Sequence, residues 1–202
     1  MASSRLAPSL LALALALALA GCAGGDGDGL TREQGPGLVL ERADLPAVFE
    51  QFDGGKQGRV DQVFPRDDPA RFDRVDGWKA RFRRSGSQRT RGPLVVESLA
   101  DLFRGSDGAG DDLAAYRDSL ERGGGGVGAG ARVLEDPEVG DESLAVATVQ
   151  TGPPPVRFFT VAWRHDNATA SVTVNGFQVT LADAVSLARK QERRMTKAAA
   201  AG

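Results

Sequence analysis

Val156-Arg157-Phe158-Phe159-Thr160-Val161-Ala162-Trp163-Arg164-His165, then Asp166-Asn167, then Ala168-Thr169-Ala170-Ser171-Val172-Thr173-Val174-Asn175, is the stretch whose reading decides the fold. Two runs rich in β-branched and aromatic residues flank two residues of the types that tight hairpin turns favour, because Asp and Asn tolerate positive φ. The reading is an antiparallel hairpin with a definite register. Trp163 lies opposite Ala170, Val161 opposite Val172 and Phe159 opposite Val174 on one face. Arg164 with Thr169 and Thr160 with Thr173 share the other. A slip of one residue would move every side chain to the wrong face, so the pattern itself specifies the pairing.

Outward from the hairpin, Thr180-Leu181-Ala182-Asp183 has the form of a capping box, and Leu181, Ala184, Val185, Ala188 and Met195 fall at helical spacing. They predict a long C-terminal helix. Gln191 and Glu192 lie near that stripe, so its distal half is expected to be less buried. Arg189, Lys190, Arg193, Arg194 and Lys197 suit the negative end of the helix dipole, with a basic partner-binding helix as the alternative. Residues 198–202 are expected to fray.

Upstream, residues 143–151 read as a strand and Pro153-Pro154-Pro155 as a stiff connection. Ala109, Leu113, Tyr116 and Leu120 give an amphipathic helix over 109–122. Trp78, Ala80 and Phe82 alternate with Lys79, Arg81 and Arg83, the period of a half-buried strand. Residues 93–103 follow as a second strand with an expected bulge. Nearer the N-terminus, residues 38–40 suggest a short strand. Asp44-Leu45-Pro46 looks like a helix start, with Val48, Phe49 and Phe52 as its apolar side and Gly54-Gly55 as its end. Residues 56–77 read as loop. Strands and helices in this order argue for an α+β domain, an antiparallel sheet with flanking helices and a long C-terminal one.

The N-terminus carries a different signal. Arg5 precedes an apolar run over residues 10–20, too short for the roughly 20 residues that span a bilayer but suited to a secretory leader. The run ends in Leu19-Ala20-Gly21-Cys22, which resembles the lipobox of bacterial lipoproteins. That resemblance implies cleavage before Cys22, a diacylglyceryl group on its sulfur, palmitate-type acyl chains and a place at the outer face of the cytoplasmic membrane. Cys22 is the sole cysteine of the 202 residues, so no intramolecular disulfide competes for it. Two acyl chains suffice for stable anchoring, and the net charge of −2 gives no reason to expect nucleic acid or an anionic membrane face as a partner. The expected organisation is a signal peptide over 1–21, a Gly-rich tether over 22–37, one domain over 38–197 and the tail beyond. The tether reach is about 20 Å by the flexible-coil estimate.

Motifs for chemistry are sparse. His165 is the sole histidine, no serine sits in a nucleophile elbow, and a zinc site lacks ligands. Asp26-Gly27-Asp28-Gly29 opens like a calcium loop, but Gly37 stands where an EF-hand requires glutamate. Gly123, Gly125 and Gly128 match a dinucleotide-binding spacing yet follow a helix instead of a strand. Asp67-Asp68, Asp111-Asp112 and Asp141-Glu142 are carboxylate pairs, though a glycosidase needs its two carboxyls facing each other across a cleft. Trp78 and Trp163 are assigned to core faces, and the sequon Asn167-Ala168-Thr169 is discounted for a bacterial lipoprotein. No catalytic residue, cofactor or metal is expected. Cys22 is the one assigned site.

Gly77-Trp78, the run 95–103 before the helix at Ala109, Gly140-Asp141-Glu142-Ser143, Val161-Ala162-Trp163-Arg164 with Asn167, and Leu187-Ala188-Arg189 together resemble bacterial extracytoplasmic domains of PsbP/Mog1-like architecture. That resemblance implies a non-enzymatic envelope module and assigns no site residues. The leading expectation is therefore a lipid-anchored binding or accessory protein with an envelope partner, protein or small molecule. A cell-wall or lipid-modifying hydrolase built on carboxylates and a small solute-binding lipoprotein are the alternatives.

Overall fold

The structure, a computed structural model, describes residues 29–58, 69–122 and 130–201. Seven strands there form one antiparallel sheet: β1 (Glu50–Lys56), β2 (Arg74–Arg83), β3 (Val95–Phe103), β4 (Arg132–Val133), β5 (Glu142–Gln150), β6 (Val156–His165) and β7 (Ala168–Gly176). Their spatial order is β1-β2-β3-β7-β6-β5-β4. Helices α1 (Ser106–Glu121) and α2 (Leu181–Ala199) join short 3-10 helices at Arg32–Leu38, Arg42–Asp44 and Pro69–Phe72. The fold is α+β, as the order of elements predicts.

The β6–β7 hairpin has the expected register at each of the five pairs, from Trp163 opposite Ala170 to Thr160 opposite Thr173. Asp166 carries the turn at φ 50°. Because side chains alternate along a strand, the hairpin serves two layers at once. Val161, Trp163, Val172 and Val174 join Ala184, Ala188 and Met195 of α2 in the main core. Ala162 instead meets Leu113, Tyr116 and Leu120 of α1, with Leu144 and Val146 of β5. The two long helices thus cover opposite faces of the sheet.

α2 starts at the capping box: Thr180 N–H donates to Asp183 at 2.8 Å, and the Thr180 hydroxyl accepts from Asp183 N–H. Its distal half is not less buried, as the polar residues suggested. Gln191 and Met195 are fully enclosed. Gln191 belongs there because its amide is paired: Nε2 donates to Leu99 O at 2.9 Å, and Ser98 Oγ donates to Oε1 at 2.7 Å. The helix also continues to Ala199, and Gln34 Nε2 donates to Ala198 O at 2.7 Å, so the frayed tail shortens.

The largest departure concerns the tether. Residues 1–28, including Leu19-Ala20-Gly21-Cys22, lie outside the described residues, but from Leu30 the chain is already packed. Leu30, Leu38, Val39, Leu40, Leu45 and Phe49 are all buried in the main core, beside α2 and over β2 and β3. Residues 29–37 are thus an arm of the domain, not a linker. Glycine content concealed this, yet Leu30 is buried and two polar pins hold the arm, the first being Asn167, whose Oδ1 accepts Leu30 N–H. The other is Ser98, whose Oγ accepts Leu40 N–H at 2.9 Å. The strand expected at 38–40 is the end of this arm.

The helix expected from Asp44 is replaced by a 3-10 turn, and its second half is the edge strand β1. Gly54-Gly55, expected to end that helix, lies inside the strand instead, opposite Ala80 and Lys79, with Gly55 at φ 118°. Charge supplies the pairing: Glu50 meets Arg83 at 2.8 Å, and Asp53 meets Arg81 at 2.9 Å and Lys79 at 3.0 Å. Further differences are smaller. β2 begins four residues earlier, at Arg74, and carries the irregularity between Arg74 and Asp76 that was expected in β3. The two-residue β4 was unforeseen. The glycine run 123–129 lies outside the described residues.

Candidate functional site

The arm and the sheet edge enclose an open cleft of about 360 Å³. Pro36, Val39 and Leu40 line it from the arm, Gln51 and Lys56 from β1, and Trp78 from β2. Strand alternation dictates the floor: Trp78, Ala80 and Phe82 all point to the α2 side and are 3%, 2% and 0% exposed. Gly35 rests directly on the indole, and a Cβ there would fall 2.0 Å from Trp78 Cζ2. Lys56 Nζ stands 5.6 Å from the ring centroid while bonded to Asp76 at 2.5 Å. Burial raises the Asp76 pKa, but the Lys56 ammonium and the Gly77 N–H outweigh it and hold the carboxyl below its ordinary range. At Asp53 the Lys79 hydrogen bond leads, with Arg81 adding to it, and the result is again lowered. Both rim ammoniums are therefore neutralised. The recess suits an apolar or aromatic group, in keeping with small-molecule sites lined mainly by apolar side chains.

A second constellation joins elements far apart in sequence. The Glu192 carboxylate accepts Trp163 Nε1–H on one oxygen and faces His165 Nδ1 on the other, each at 2.7 Å. An ionised carboxylate only accepts, so Nδ1 carries the proton. The Glu192 hydrogen bond raises the His165 pKa and prevails over burial, which lowers it; Glu192, Asp141 and Asp166 add charge attraction. His165 flanks the hairpin turn as expected, while its partner was missed. Trp163 is on the core face, fully enclosed.

The carboxylate pairs are dispersed. Asp141 and Glu142 both hold Arg164, at 3.0 and 3.2 Å. Asp111 is exposed, whereas Asp112 is 1% exposed and accepts the Thr169 hydroxyl at 2.9 Å. Asp67-Asp68 lie outside the described residues. One carboxylate was overlooked in the sequence. Asp101, the register partner of Thr169, is 5% exposed and bonds Arg74 at 2.5 Å. Asp101 and Asp112 are both enclosed between α1 and the sheet, out of reach of a substrate in this arrangement. Among the described residues no three His, Cys, Asp or Glu side chains converge as metal ligands would, and no helix is long and apolar enough to cross a membrane.

Lys190, Arg193, Arg194 and Lys197 of α2 line the seam with the arm, whereas Arg189 donates to Pro137 O at 3.4 Å. Lys190 Nζ donates to Asp44 O at 2.6 Å, and Arg194 reaches Gly37 O, Asp44 and Glu41. Arg193 and Lys197 are exposed.

No protein-family model and no curated protein matches the chain. Among solved structures it is similar to the extracellular domain of PknH from Mycobacterium tuberculosis. The TM-score is 0.66 at 15% sequence identity, over 85% of this chain and 100% of that one. At this identity the likeness establishes a shared α+β fold.

Proposed function

We propose that the chain is a lipid-anchored extracytoplasmic module of a bacterial cell envelope, binding or accessory in role and without catalysis. The observation that carries the reading is the fold shared with an extracellular bacterial domain, set behind a sequence that ends its leader in Leu19-Ala20-Gly21-Cys22. The body supports it in two ways. Among the described residues, Asp101, Asp112, Asp141, Glu142, Glu192 and His165 are engaged with Arg74, Arg164, Thr169, Trp163 and one another. Its cleft over Trp78 offers apolar surface with neutralised charges, which favours holding a group over transforming one. Kinship with PsbP/Mog1-like domains is part of the same proposal.

The test is Cys22→Ser in a bacterium that processes lipoproteins. The wild-type chain gains the mass of a diacylglyceryl group and sediments with membranes, whereas the variant lacks both. A variant that fractionates like wild type, with no lipid mass on either, sinks the anchor. Hydrolysis of cell-wall material by the purified protein, lost in Asp101→Asn or Asp112→Asn variants that still fold, would replace the binding role with a hydrolase.

A further inference from the structure

The structure fixes where the segment bearing the anchor leaves the body. Leu30 is bonded to Asn167 in the β6–β7 turn, through Leu30 N to Oδ1 at 2.8 Å and Nδ2 to Leu30 O at 3.0 Å. α2 runs towards the same end of the sheet, where Glu192 meets His165 and Ala198 O takes Gln34. Gly29 and Leu30, the first described residues, therefore lie at the end of the sheet that the C-terminal half of α2 reaches. Cys22 is seven residues from Gly29, a span of at most about 25 Å when fully extended. Whatever holds Cys22 in the bilayer holds this end of the domain close to it.

That end carries a basic seam. Ala43, Asp44, Lys190, Arg193, Arg194 and Lys197 line an open recess of about 400 Å³ between the arm and α2. The acids facing it, Glu41 and Asp44, are both engaged by Arg194. Arg193 and Lys197 are exposed and have no hydrogen bond or ion pair among the described residues. The seam is positive on a chain whose net charge is −2, so it is a local feature and not the general sign of the surface. Attraction between exposed charges fades beyond a Debye length of about 8–10 Å, so a basic patch serves a membrane only if something keeps it close.

We infer that the α2–arm seam, through Arg193 and Lys197 with Lys190 beside them, docks on anionic phospholipid headgroups and so fixes how the domain sits on the bilayer. This rests on the anchor proposed above and reverses the expectation that an anionic membrane face is no partner. The short distance to Cys22 favours headgroups over the anionic polymers of a cell wall, which lie farther out.

The chain has four lysines, Lys56, Lys79, Lys190 and Lys197, which makes amine labelling a direct readout. The lipidated full chain, purified from producing membranes, is placed in phosphatidylcholine vesicles with and without phosphatidylglycerol. It is then treated with a water-soluble acylating reagent and read by mass spectrometry. Lys197 labels about fivefold more slowly on the anionic vesicles, the factor expected from one basic residue's attraction to such a surface. Lys56, whose side chain is 71% exposed on the sheet edge, is the unchanged reference. High salt and Arg193→Glu both restore Lys197 labelling. Equal labelling of Lys197 on the two vesicles, with the lipid mass present on Cys22, overturns the docking and leaves the anchor standing. Absence of the lipid mass overturns both. Protection that requires an added cell-wall polymer in place of anionic lipid also overturns it.

Discussion

Asn167 and Leu30, 137 positions apart, exchange hydrogen bonds in both directions, and Asn167 Nδ2 gives a further bond to Phe103 O at 3.1 Å. One side chain in a hairpin turn thereby ties the N-terminal arm to the sheet. Removing it leaves Leu30 N–H and C=O without partners in a buried setting, where each such loss costs about 1–3 kcal/mol. Asn167→Ala is expected to lower stability by about 2–4 kcal/mol in urea unfolding. It is also expected to expose the arm to protease before the sheet unfolds. A variant with wild-type stability and an intact arm would show that the pin is not needed.

The second pin runs through the core. Leu40, Ser98 and Gln191 connect arm, β3 and α2, each polar atom answered by the next. Gln191→Leu strands Ser98 Oγ–H, while Ser98→Ala strands Leu40 N–H and Gln191 Oε1. A double-mutant cycle between Ser98→Ala and Gln191→Leu is expected to show coupling of about 1–2 kcal/mol, within the range for residues sharing a network. Strict additivity in denaturant melts would mean the two act separately.

His165 offers a pH readout free of overlap, since it is the sole histidine. Its folded pKa is raised above the unfolded value of about 6.5, chiefly by the Glu192 hydrogen bond. The folded state then holds the proton more tightly than the unfolded one. Its contribution to stability is complete below the unfolded pKa and is lost as pH rises through the folded pKa. Melting temperature should fall over that interval in the wild type and flatten in Glu192→Gln. An NMR titration placing the ring at or below its ordinary pKa would refute the account.

Trp163 separates packing from hydrogen bonding. Trp163→Ala is expected to cost about 3–5 kcal/mol, as large aromatic truncations in cores do. Trp163→Phe keeps most of the apolar contact, loses the bond to Glu192 and is expected to cost distinctly less, about 1.5–3 kcal/mol for a bond to a charged partner. Equal losses in the two thermal melts would place the whole effect in the hydrogen bond.

Much of this fold is legible locally. The β6–β7 register follows from alternation and a two-residue turn, α2 from its capping box, and the core face of β2 from Trp78, Ala80 and Phe82, because each depends on neighbours within a few positions. The cleft is half legible: Trp78 announces a buried face, but Pro36, which lines it, and Gly35, which rests on the indole, sit in a stretch whose glycines read as linker. The edge strand β1 hid for a related reason. Glu50 and Asp53 make sense as strand residues only opposite Arg83 and Arg81, and that pairing spans about thirty positions.

By itself, then, the sequence determined the α+β class, the hairpin register, the C-terminal helix and the expectation of an anchor at Cys22, all set by short-range periodicity or by a short contiguous motif. Tertiary structure alone decided that Leu30, Leu38 and Leu45 are buried in the core, that Gln191 is fully enclosed, that Glu192 serves both Trp163 and His165, and that Lys190, Arg193, Arg194 and Lys197 line a seam between α2 and the arm. The physical reason is common to all four. Burial of a polar or glycine-rich segment is favourable only when distant groups complete its hydrogen bonds and apolar contacts, and no local pattern records which distant groups those are.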